Sequence, residues 1–172
     1  VMNNTMADFS PKARVRTTQG LAYGMANAVC PGKTSLSSMT PTIVARDGKP
    51  VMAVGAAGGP RIITSTLQLI VNVIDYGMMM DSAVKTPHLC CLTLNQGLEL
   101  EAGFSPDTVK LLKKKGHRIK VLGELAVLLV MPNGILCRDG IFYPGGTSRV
   151  DGGGGALTES GGMCIEGLYF AE

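Results

Sequence analysis

The sequence predicts an α+β layered fold, and three observations carry that expectation. Short β-branched apolar runs flank turn dipeptides, the apolar spacing switches to a helical period between such pairs, and capping residues punctuate the joins. The first thirty residues are polar and turn-rich, so they read as an extended loop with at most one short strand. Pro41-Thr42-Ile43-Val44 and Val51-Met52-Ala53-Val54 read as strands joined through Asp47-Gly48, a strong hairpin signal. A helix follows, with Pro60 suited to its first position and Gly77 to a left-handed cap. Its apolar stripe is predicted at Ile63, Leu67, Ile70 and Ile74, spaced four, three and four.

Asp81 to Lys85 predicts a short helix stopped by Pro87. A third helix has Ser105 as N-cap, Pro106 in the first turn and Asp107 at the positive end. Its Lys113-Lys114-Lys115 run, followed by Gly116, reads as a solvated, dipole-compensating helix end. Ile119 to Leu122 and Ala126 to Met131 predict strands, and Pro132-Asn133-Gly134 a turn back into Ile135-Leu136-Cys137. From Gly145 the composition changes. Residues 1–150 form one domain-sized portion, and the glycine-rich tail 151–172 is expected to be loosely ordered, because glycine loses most backbone entropy on ordering. No Lys-Ser/Thr follows those glycines, which disfavours a phosphate loop.

The 172 residues, 45% of them apolar, suffice for one domain with a substantial core. A net charge of +3, scattered basic residues and only 5% aromatics speak against nucleic-acid binding. No apolar run approaches the ~20 residues that span a bilayer. The start has no signal-peptide pattern, which says little if the chain is the downstream part of a precursor. Cys30, Cys90, Cys91, Cys137 and Cys164 follow no CxxC spacing, so no structural metal site is expected. Cys90-Cys91 reads as two small semi-buried residues, with a vicinal redox pair as the alternative. His88 and His117, the two histidines, read as surface or turn residues.

Two clusters remain. Ser37 and Ser38 place two hydroxyls side by side, a geometry suited to a carboxylate. About twenty residues on, Gly58-Gly59 lead into the helix, so their amides lie at its positive end, where an oxyanion is stabilised. Asp8, in a loop, is by itself as readily a turn former. Together these groups read as part of an acyl-transfer site for a small anionic substrate.

The motifs also carry a resemblance. Asn3-Asn4-x-Met6-x-Asp8-Phe9-Ser10 comes first, then Pro31-Gly32-Lys33 with Leu36-Ser37-Ser38-Met39-x-Pro41-Thr42-Ile43. Gly55-x-x-Gly58-Gly59-x-Arg61-Ile62-Ile63-Thr64, Asn72-x-Ile74-Asp75-Tyr76-Gly77 and Phe104-Ser105-Pro106-Asp107-Thr108 follow in order. In register from about Asn3 to His117, they resemble the small subunit of γ-glutamyltransferases (glutathione hydrolases). The resemblance implies an N-terminal-nucleophile hydrolase with an αββα sandwich, matured by self-cleavage into a heterodimer of large and small subunits. A threonine exposed by that cleavage, using its own α-amine as base, would take the γ-glutamyl group from glutathione or related compounds. Water, or an amino acid or peptide acceptor, would then receive it. By the same resemblance Asp8 holds the substrate's α-ammonium, Ser37 and Ser38 its α-carboxylate, and Gly58 and Gly59 form the oxyanion hole. Thr5 stands where the family commonly has Gln or Glu against the ammonium, so it makes a weaker partner.

The family's Thr-Thr-His-like start and its assisting Thr-x-x-Asn stretch both precede the Asn-Asn motif. The nucleophile is therefore expected from a missing or separate upstream segment, without which the sandwich is incomplete, and from no residue of this chain; Thr17-Thr18 is no substitute. The partners expected are the large subunit or upstream segment of the same precursor. No cofactor is expected, and the compartment is open, periplasmic or extracellular if the family habit holds. Alone, the chain is expected to leave edges uncovered and to associate or aggregate. Pro87-His88-Leu89-Cys90-Cys91 departs from the family's Pro-Arg-Phe-His-His-like stretch, and the last third matches loosely. A light-chain-like binding protein without turnover, or an acylase of the same fold acting on cephalosporin side chains or poly-γ-glutamate, are the alternative readings.

Overall fold

A computed structural model describes residues 5–10, 24–92, 97–123 and 130–147, and the backbone of 152–157 and 163–169. The chain divides into two compact units, Val1–Ser38 and Met39–Glu172.

The first unit is built from turns. Thr5–Asp8 and Met25–Asn27 are single 3-10 turns. They are joined by a parallel bridge between Ser10 and Ala28, in which Ser10 N donates to Asn27 O (2.9 Å) and Val29 N to Ser10 O (3.3 Å). Phe9 and Ser10 are buried beside that bridge.

In the second unit, β1 (Thr42–Arg46) and β2 (Lys49–Ala57) form the expected hairpin, with Asp47 and Gly48 at φ 52° and 76°. Consecutive positive φ values are what a primed two-residue turn requires. β6 (Met131–Arg138) and β7 (Ile141–Gly145) complete a four-stranded sheet in the order β1-β2-β6-β7. Its turn lies at Asp139-Gly140, φ 54° and 77°, and not at Pro132-Asn133-Gly134. That triplet runs inside β6, where Pro132, Asn133 and Gly134 pair with Ala56, Gly55 and Val54 of β2. The cross-strand register overrides the local turn signal. The expected strand positions 126–129 lie outside the described residues.

α1 (Arg61–Ile74) and α2 (Met80–Lys85) cover one face of this sheet. The core consists of Met52, Val54, Leu69, Val73, Met80, Ala83, Val84 and Leu136. Met80 lies over Gly134 and Gly145, register partners on β6 and β7; a Cβ on either would come within 2.8 Å of it. The opposite face carries the row Ile43, Ala53, Ile135 and Pro144 and forms an open trough of about 520 Å³.

α1 turns three of its four predicted stripe residues outward, while Ile70 packs against the core. Ile62, Ser65, Thr66, Leu69 and Val73 are buried, while Ile63, Leu67 and Ile74 are 52%, 59% and 49% exposed. Both faces are apolar enough to satisfy the spacing rule. The inward one tolerates its hydroxyls because Thr66 Oγ1 shares a 2.9 Å hydrogen bond with Thr40 Oγ1. Gly77 closes the helix at φ 66°, as expected.

A smaller sheet, β3-β4-β5, is made of Leu89–Cys90, Leu98–Leu100 and Ile119–Val121. α3 (Pro106–Lys114) precedes β5, and the Ser105 hydroxyl accepts from Thr108 N at 3.1 Å, the predicted cap. Gly152–Leu157 (β8) and Met163–Tyr169 (β9) pair as an antiparallel hairpin within the stretch whose composition predicts loose order. No helix among the described residues is long and apolar enough to cross a membrane.

Candidate active site

The carboxylate and the serine pair belong to the first unit. Asp8 ends the turn Thr5–Asp8 and is half-buried, while Thr5 is exposed. Asn27 links the two segments: its Nδ2 donates to Asp8 O (2.7 Å), and its Oδ1 accepts from Leu36 N (2.9 Å). One amide side chain therefore fixes both the backbone of Asp8 and the backbone entering Ser37-Ser38. Asn27 itself is 8% exposed, so its hydrogen bonds are shielded from competing water. Ser37 is exposed and Ser38 half-buried. The sequence reading missed Asn27, because a lone Asn in a turn-rich loop carries no spacing signal.

Gly58 and Gly59 form the β2–α1 turn of the second unit, at φ 140° and 59°. Both values lie where a side chain is rarely tolerated, which explains the glycine pair. Ile62 N donates back to Gly59 O (3.1 Å) as the helix starts. Pro60, the N-cap residue, has no N–H to add to the donors at this end. The two glycine amides thus precede the positive end of a helix of 14 residues, where partial charge favours an anion.

Behind this turn lies a polar cluster. Arg61 donates through Nη2 (2.7 Å) and Nε (3.2 Å) to Glu99 Oε2, and Lys120 Nζ donates to Glu99 Oε1 (3.2 Å). Burial pushes the Glu99 carboxyl upward, but hydrogen bonds and charge from Arg61 and Lys120 outweigh it and hold it below the ordinary 4.5. His88, expected at the surface, is buried at 3% exposure. Its backbone N donates to Glu101 Oε2 (2.7 Å), and its Nδ1 lies 3.8 Å from the same oxygen. His117 is exposed, as expected. Burial pushes the Cys90 thiol up, against a lowering hydrogen bond from Thr64, so it is a poor thiolate nucleophile. Cys30, Cys90, Cys91 and Cys137 form no disulfide, and no cluster among the described residues has a metal-binding arrangement.

A family model described as gamma-glutamyltranspeptidase matches residues 1–154. The glutathione hydrolase proenzyme of Escherichia coli (strain K12) is 46% identical over 139 residues, covering 79% of this chain and 24% of the proenzyme. The acylase ACY 1 proenzyme of Pseudomonas sp. (strain V22) is 30% identical over 158 residues, 90% of this chain and 26% of that proenzyme. A crystal structure of a Helicobacter pylori gamma-glutamyltranspeptidase mutant matches with a TM-score of 0.78 at 38% identity, covering 87% of this chain and 81% of that one. The chain spans about a quarter of the length of these curated relatives. Its mixed helix-and-sheet architecture is that of the N-terminal-nucleophile type of gamma-glutamyltranspeptidase structure. With its motifs, fold and nearly whole length in register, the chain belongs to the gamma-glutamyltranspeptidase family.

Proposed function

We propose that this chain forms the small-subunit part of an enzyme that cleaves the γ-glutamyl amide bond of glutathione and related compounds. The group passes to water or to an amino acid or peptide acceptor. The Asp8 carboxylate binds the substrate's α-ammonium, with Thr5 as a weaker neighbour, and the Ser37 and Ser38 hydroxyls donate to its α-carboxylate. A zwitterionic head group needs this pairing of one anion with a set of donors. Attack on the γ-carbonyl puts negative charge on its oxygen, and the Gly58 and Gly59 amides stabilise that charge. The nucleophilic hydroxyl comes from the part of the longer protein that lies outside these 172 residues. It adds to the carbonyl carbon, the C–N bond breaks as the leaving amine takes a proton, and an acyl-enzyme remains for water or an acceptor amine to open. The observation that supports this most is the double hydrogen bond of Asn27, which holds the carboxylate-bearing turn and the serine pair as one piece.

The test expresses the chain together with the segment encoded upstream and follows chromophore release from γ-glutamyl-p-nitroanilide. Turnover that Asp8→Ala lowers about tenfold to a hundredfold is expected, the size of a lost charge-assisted hydrogen bond. No turnover, or turnover indifferent to Asp8→Ala, overturns the reading. The acylase relatives motivate a second arm with glutaryl-p-nitroanilide, which lacks the α-ammonium. A glutaryl donor preferred by the wild type and untouched by Asp8→Ala would favour an acylase instead.

A further inference from the structure

The Arg61–Glu99 pair sits where the reaction is most sensitive to geometry. Arg61 follows the glycine pair by two positions and is the first residue of α1, so its side chain fixes the end of the helix on which the two amides depend. Both guanidinium contacts go to one oxygen of Glu99, while Lys120 takes the other. The Arg61 and Glu99 side chains are 15% and 12% exposed, so water competes weakly for the pair. Glu99 is on β4, the central strand of the small sheet, with Cys90 of β3 and Lys120 of β5 as its register partners. A central strand is the least mobile place in that sheet to anchor a charge. Two helical turns further along α1, Gln68 makes a second attachment, donating to Leu89 O (2.8 Å) and accepting from Leu89 N (2.9 Å). The helix is thus fixed to the small sheet at two points, and the point next to the glycine turn is the ionic one.

We infer that Glu99 is a positioning residue for the oxyanion hole, acting through Arg61 to hold the Gly58-Gly59 turn in place. This rests on the γ-glutamyl-transfer reading and extends it to a residue that does not touch substrate. Backbone amides cannot be tuned by their own side chains, so their aim depends on whatever holds the adjoining helix. A displacement on the order of 1 Å at such a site costs about a hundredfold in rate. Because Asp8, Ser37 and Ser38 bind the head group independently of this pair, loosening it affects the chemical step and spares binding.

The experiment uses the assembled enzyme described above, with Glu99→Gln, Arg61→Lys and the double variant, each checked for folding by thermal melting. Arg61→Lys keeps the charge and removes the two-nitrogen fork, which gives a second route if Glu99→Gln fails to fold. Either single variant is expected to lose about tenfold or more in kcat with KM within about twofold, and the double variant no more than the worse single. Unchanged kcat in folded single variants, a loss confined to KM, or additive losses in the double variant overturn the positioning role. An inactive wild type overturns the function reading and this inference with it. An active, Asp8-sensitive wild type beside an unaffected Glu99→Gln overturns this inference alone.

Discussion

The two sets of candidate site groups are held in opposite ways. Asp8, Ser37 and Ser38 sit in a unit with no regular helix or sheet among its described residues, where one buried amide ties the segments together. Gly58 and Gly59 sit between a sheet strand and a long helix, backed by a packed core and an ion pair. The difference matches the tasks proposed for the two sets. A head group recognised by charge and hydroxyls tolerates side chains that adjust, whereas an oxyanion formed for an instant needs donors that are already aimed.

The contrast can be broken in four places. Leu69→Ala, at a fully buried position on the inward face of α1, is expected to cost about 2–5 kcal/mol of stability, read as a fall in denaturant midpoint. A smaller loss would mean that the helical layer is less tightly packed than its burial implies. Gly58→Ala forces a side chain onto a φ of 140° and should lower kcat about a hundredfold while leaving glutamate binding intact. A purely KM effect would transfer the glycine turn to the binding half. Asn27→Ala removes both bonds at once and is expected to raise KM about tenfold with kcat held, as measured by steady-state kinetics. If kcat falls with it, the two halves are not separable.

The smallest effect concerns acid. Glu99 titrates below its ordinary value in the folded protein, so its contribution is fully present above pH 4.5 and fades as pH falls through the lower folded value. Acid unfolding of the wild type should therefore steepen below pH 4.5, and Glu99→Gln should flatten that limb. An identical acid limb in both proteins would show that the pair adds nothing to stability there.

The same contrast explains what the sequence could tell. The Asp47-Gly48 hairpin and the Ser105 cap were legible because their chemistry is local: positive φ in one, a hydroxyl facing a helical N–H in the other. The inward face of α1 was not, since it contains Ser65 and Thr66 and is less apolar than the face it turns outward. Pro132-Asn133-Gly134 misled for a similar reason, a turn-like triplet drawn into a strand by pairing with residues nearly eighty positions away. His88 was misplaced because its burial depends on Glu101 and the small sheet, which no local pattern announces. Among the candidate site residues, spacing suggested the serine and glycine pairs, whereas the role proposed for Asp8 came from the family resemblance. Asn27 and Glu99 bond to partners distant in sequence and left no trace in either reading.

The notch at Gly134 and Gly145 constrains the future of the sequence more than its present chemistry. Met80 fills the room left by two absent methyl groups on facing strands, so these three positions can change only in concert. A variant that adds bulk to either strand must surrender it from the methionine, or else lift α2 away from its support.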